Sequence, residues 1–217
     1  MKTKKPLIGL LIYSFYSMGG SLAIVLSLSL LIGIVALISG NNLLMQAFTL
    51  TVFGAAPYVV LTKSGGTAKW ERFQLAMPIK RKNLATSLYL NVLIALILEL
   101  PVAAIVVGAG FIFNEGMADL LRYGGFANFA FFVYGIALLF AALLYPLACT
   151  KLGGRNEQGL FFVCMVGAGA IVGAIAVVGS TLGLSDGTTS FLIVAVAGGA
   201  FIASYFITRM IYAKIDF

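Results

Sequence analysis

Residues 6–62 read PLIGLLIYSFYSMGGSLAIVLSLSLLIGIVALISGNNLLMQAFTLTVFGAAPYVVLT, a run without one charged side chain. A hydrocarbon core about 30 Å thick needs about 20 apolar residues of helix to cross it. The run is therefore too long for one crossing, and SGNN at residues 39–42 supplies a turn within it. This places one span at residues 20–39 and another at 43–62. The segment ahead of them then has no room to cross. In it Leu7, Leu11, Phe15 and Met18 recur at helical spacing, with Gly9, Tyr13 and Tyr16 on another face. The pattern predicts an interfacial helix over residues 7–18 lying on the inner leaflet, with Gly19 and Gly20 bending the chain into the first span.

The whole chain shares this character. Of its 217 residues 61% are hydrophobic and only 10% charged, with a mean hydropathy of +1.08. A soluble domain keeps roughly a quarter of its residues charged, so this chain could not cover its own surface in water. The fold class is an all-α integral membrane protein, one transmembrane domain from end to end. Further spans fall at residues 84–113, 125–149, 160–181 and 190–212, giving six. Asn83 stands where it could cap the third. The polar segments NEGMADLLRYGG, TKLGGRNEQG and LGLSDGTT separate the later spans. Lys2, Lys4 and Lys5 precede an apolar run, but no small-residue site closes it as in a cleavable signal peptide.

Thirteen of the fourteen Lys/Arg residues fall on one side of this arrangement, and only Arg122 on the other. Basic residues concentrate in cytoplasmic loops, so both termini are expected in the cytoplasm. The net charge of +7 reads as topology rather than as a nucleic-acid surface. His is absent, which removes HExxH zinc sites and Ser–His chemistry. No metal site and no catalytic group are expected. Cys149 and Cys164 lie near predicted membrane edges on the basic side and read as reduced thiols.

One polar segment stands apart: KWERFQLAMPIKRKNLATS, residues 69–87, holds five of the basic residues and the sole Trp. It belongs to a cytoplasmic loop over residues 63–83. Thr67 can cap a short helix in which Trp70, Phe73 and Met77 share a face and Lys69 and Arg72 another. Pro78 stops it, because the residue before a proline is pushed away from helical geometry. Lys80, Arg81 and Lys82 then stand where the third span begins, positioned for lipid phosphates. Taken alone, the segment is either a membrane anchor or a docking helix for a cytoplasmic partner, and Trp and Arg favour the second.

The six spans, the interfacial helix and the motif W-E-R-F…L-A-M-P-I-K-R-K-N-L…Y-L resemble the small ABC-2-type permeases. These are membrane subunits of bacterial ABC exporters, including a group that exports amphipathic peptides such as phenol-soluble modulins. The resemblance implies that Lys69, Trp70, Glu71, Arg72, Phe73 and Gln74 form a coupling helix seated on an ATPase subunit. Residues 7–18 would be the connecting helix beside it. It implies a bacterial cytoplasmic membrane, and a second permease subunit, itself or a paralogue. The chain has no GxxxxGK[ST] phosphate loop, so ATP and Mg are expected in the partner ATPase and no cofactor here. A self-sufficient secondary transporter or channel would commonly carry several intramembrane ionisable groups. Here only Glu99 lies deep in a span. A membrane immunity or assembly factor that transports nothing is the third reading.

Two features inside the spans carry expectations of their own. Glu99, two residues before Pro101, either lines the pathway or is a protonated or hydrogen-bonded carboxyl stabilising the proline kink. Gly169 and Gly173, four apart, permit close helix packing within the bundle or between subunits.

Overall fold

The computed structural model describes residues 5–39, 81–113, 125–148 and 157–214. They form five helices: α1 (Lys5–Ser39), α2 (Arg81–Phe113), α3 (Gly125–Ala148), α4 (Glu157–Thr181) and α5 (Asp186–Lys214). No strand occurs among the described residues. Four stretches are long and apolar enough to cross a membrane: Lys82–Val102, Phe131–Ala148, Gly159–Thr181 and Asp186–Lys214. A shorter apolar stretch, Gly19–Val35, lies within α1. The last four expected spans thus coincide with helices α2 to α5 to within a few residues at each end. The expected span at 43–62 and the loop residues 63–80 lie outside the described residues.

The first expectation to be corrected is the bend at Gly19 and Gly20. Helix α1 runs unbroken through both for 35 residues, about 52 Å at 1.5 Å per residue. The interfacial segment 7–18 is therefore continuous with the first span rather than a separate helix. Glycine in a helix interior costs only about 1 kcal/mol. Opening the helix among apolar side chains would strand backbone N–H and C=O groups with no water to satisfy them, at several kcal/mol each. The second cost wins. Along this part of α1 Leu10 is buried, whereas Ile8, Ile12, Tyr13 and Tyr16 are exposed.

A second correction concerns the start of the third span. Helix α2 already begins at Arg81, so Asn83 lies inside it rather than capping it. Arg and Lys are good helix formers, and Thr86 Oγ1 donates to the Lys82 carbonyl at 2.7 Å, one turn back. The helix also continues past Pro101 to Phe113.

The third correction is the loop expected over residues 182–189, which shortens to residues 182–185. Gly183 adopts a positive φ of 67°, a conformation glycine takes without steric cost. Leu184 N donates to Gly179 O at 2.9 Å and Gly183 N to Ser180 O at 3.1 Å, the paired bonds of a Schellman cap. Ser185 then caps α5, its Oγ accepting from Thr188 N at 3.3 Å. Asp186 in the first turn complements the helix dipole. The result is a tight α4–α5 hairpin.

Packing follows from which stripe each helix offers. On α3, Val133, Ala137, Phe140 and Leu144 are almost wholly buried and share a face at spacings of four, three and four. On α5 the buried set is Ser190, Ile193, Ala197, Phe201, Ser204 and Thr208. These two stripes meet in the most extensive contact among the described helices, while α5 also touches α2 and α4, and α1 lies against α2. Gly135 makes the α3–α5 approach possible: a Cβ there would overlap the Ile193 side chain. By contrast α4 buries only a narrow stripe, with Cys164, Ala168 and Val172, and presents Phe162, Val163 and Val166 outward.

The contacts also fix relative direction. The start of α2 lies beside the end of α5, through Thr86 with Tyr205 and Tyr89 with Thr208. Tyr145, near the end of α3, packs on Tyr89 at the same level. Exposed Lys82, Arg209 and Lys214 consequently share one end of the bundle, and Asp186 stands at the other.

Candidate functional site

The buried face of α2 carries polar groups at three levels. The first is near its start. Tyr89 Oη hydrogen-bonds Ser204 Oγ at 2.5 Å and Thr208 Oγ1 at 2.9 Å, and Thr86 Oγ1 meets Tyr205 Oη at 3.0 Å. The Tyr89 ring packs against Tyr145, Phe201 and Tyr205, with centroids 5.3, 4.9 and 5.5 Å away. Hydroxyls here find one another because no water is available to them at this depth. The network joins α2 to α5 with its members satisfied.

The second level is Asn91, 1% exposed. Neither its Nδ2 nor its Oδ1 has a hydrogen-bond partner among the described residues. The third is Glu99, 0% exposed, with both carboxyl oxygens equally unpartnered. A further buried polar atom without a partner, Ser29 Oγ, belongs to the neighbouring α1. Unmade hydrogen bonds of this kind cost roughly 1–3 kcal/mol per group, and native interiors hold few of them.

Glu99 was expected either in the pathway or as a stabiliser of the proline kink. Among the described residues neither carboxyl oxygen has a hydrogen-bond partner. Tyr134 of α3 instead serves the backbone there, its Oη donating to the Leu96 carbonyl at 3.1 Å. Tyr134 also lies within electrostatic reach of Glu99.

The other sequence-derived residues scatter. Lys69, Trp70, Glu71, Arg72, Phe73, Gln74 and Lys80 lie outside the described residues. Arg81 opens α2 and Lys82 is exposed beside it, at the same end as Arg209 and Lys214. Gly169 and Gly173 sit on the exposed side of α4, with no described atom within 4 Å of where a Cβ would stand. The close approaches between described helices occur instead at Gly135, against Ile193, and at Gly179, against Thr189. Asn91, Ser29 and the Tyr89 hydroxyl network were not singled out from sequence. Asn91 had a usable signal: it is an amide in an otherwise apolar run, eight residues before Glu99.

A family model described as ABC-2 family transporter protein matches residues 9–213. The chain belongs to this ABC-2 transporter family. The match spans all five described helices, so the bundle of this ABC-2 chain is a multi-pass membrane component of a transporter, a class that is not itself catalytic. Membership implies an ABC ATPase as partner. No curated protein and no solved structure matches the chain.

Proposed function

We propose that this ABC-2 chain is the permease subunit of an ABC exporter in a bacterial cytoplasmic membrane. It forms the translocation path for an amphipathic or hydrophobic substrate, a peptide being favoured, and is driven by a separate ATPase subunit that binds ATP and Mg. The observation that carries the reading is the family match over residues 9–213. The composition agrees: the chain is 61% hydrophobic and carries no phosphate-binding loop. Two permease subunits, this chain twice or with a paralogue, enclose the path. The outward Gly169 and Gly173 of α4 are available for that contact. Both termini face the cytoplasm, the side to which the basic residues belong.

Coupling runs through Lys69, Trp70, Glu71, Arg72, Phe73 and Gln74, docked on the ATPase, with Lys80, Arg81 and Lys82 held at inner-leaflet phosphates. The test is coexpression with the cognate ABC ATPase. The two should copurify, and a cationic amphipathic peptide should stimulate ATP hydrolysis. Trp70→Ala and Phe73→Ala should abolish peptide transport while the permease still inserts, with ATPase binding weakened or turnover no longer responding to peptide. Arg72→Ala should weaken the same coupling. Normal transport by all three variants would reduce the loop to an anchor.

A further inference from the structure

The Asn91 and Glu99 side chains are buried, polar and, among the described residues, without a hydrogen-bond partner, and they lie on one helix at a spacing with geometric content. Eight residues of α-helix advance about 12 Å and turn about 80° past two full turns, so both fall within one quadrant of α2. Between them Val92, Ala95 and Leu96 are buried and apolar. Counted from Lys82, Asn91 stands about 13 Å along the helix, near mid-depth of a 30 Å core, and Glu99 about 25 Å, toward the far side. Carboxyl and amide groups at such depth belong to bundle interiors and wet or ligand-bearing cavities, not to lipid.

We propose that Asn91 and Glu99 are two stations of a single intramembrane binding site, and that its ligand is an amphipathic organic cation. The Glu99 carboxyl takes the positive group. The Asn91 amide, which both donates and accepts, takes an amide or hydroxyl about 12 Å away, and the apolar residues between them take the connecting body. In an extended peptide that distance covers three to four residues. A side chain with a purely structural role is bonded to a neighbour, as Tyr89 and Tyr134 are, and among the described residues neither Asn91 nor Glu99 is. The site is sealed in this conformation, Glu99 being 0% exposed, so the ligand enters and leaves when α2 parts from its neighbours. This inference rests on the permease reading above and names the chemistry its substrate must carry.

The test uses the full chain in lipid nanodiscs and two dansyl-labelled amphipathic peptides. One carries a single lysine, and the other carries the same lysine acetylated and therefore neutral. Wild type should bind the cationic peptide about tenfold more tightly, the worth of one charge-assisted hydrogen bond. Glu99→Gln should erase that preference while leaving affinity for the neutral peptide unchanged. Asn91→Leu should weaken both peptides alike. In the unmutated chain, the cationic peptide should protect Glu99 from modification by a hydrophobic carbodiimide, and the neutral one should not. That arm does not depend on any variant folding. Retention of the preference by Glu99→Gln, equal binding of both peptides by wild type, or modification of Glu99 unaffected by the cationic peptide would overturn the site. ATP-driven uptake into proteoliposomes containing the ATPase is read separately. Uptake that persists without charge preference would sink this site and spare the permease, whereas absence of uptake for every peptide would sink the permease reading itself.

Discussion

Tyr89 has one hydroxyl and two hydroxyl partners, and it is 4% exposed. Tyr89→Phe keeps the ring among Tyr145, Phe201 and Tyr205 but deprives Ser204 and Thr208 of their shared partner. In water-soluble cores such a loss costs about 1–3 kcal/mol. Within a bilayer, interhelical hydrogen bonds average only about 0.6 kcal/mol, because the denatured state also finds partners. Ser204 and Thr208 can further turn back to their own helix. We therefore expect a destabilisation of about 1 kcal/mol, measured by denaturant titration of the chain in mixed micelles. A loss beyond about 3 kcal/mol would show that the ring, not the hydroxyl, had been displaced. The sequence made Glu99 conspicuous because it is the sole acid inside a long apolar run. It left Asn91 unnoticed because one amide breaks no charge pattern, and whether its bonds are made depends on neighbours distant in sequence. Gly135 was hidden for the same reason: a glycine in FFVYGIALL is informative only once Ile193 stands opposite it.

Helices were legible wherever a long apolar run ended at polar residues, as at Phe113, Ala148, Thr181 and Lys214. Their ends shifted where a local device competed with composition. Gly183 and Ser185 cap two helices within four residues, so DGTT, which reads as loop, is in fact the first turn of α5. The misreading at Gly19 and Gly20 has a different source. Paired glycines break helices where water can take over the freed backbone groups, and along α1 the exposed surface on either side of the pair includes Ile8, Ile12, Ile24 and Leu28. A methyl group added at either glycine would meet no described atom within 4 Å, and neither has a positive φ. Gly19→Ala combined with Gly20→Ala should thus raise stability by about 0.4–1 kcal/mol per site, read as a higher midpoint in the same titration. Destabilisation would show that the chain does bend there in the membrane.

At the scale of the whole molecule, the α2–α5 and α3–α5 contacts place residues 82 and 214 at one end and 186 at the other. A reporter active only in the cytoplasm should therefore work after Lys82, Arg155 or Phe217 and fail after Asp119 or Asp186. Activity after Asp186 together with silence after Lys82 would invert the orientation while keeping the bundle. Activity on both sides of a single helix would break the six-span arrangement. The unbroken α1 matters at this scale too. A rod about 52 Å long in a hydrocarbon slab about 30 Å thick carries roughly 20 Å of its length beyond it. A hinge at Gly19 and Gly20 would have absorbed any push on that overhang. Without one, the rod pivots as a lever: tilting it by about 10° moves its outer tip by several ångströms and drags the face packed on α2 by a proportionate amount. The overhang of α1 is thereby geared mechanically to the helix that carries Asn91 and Glu99.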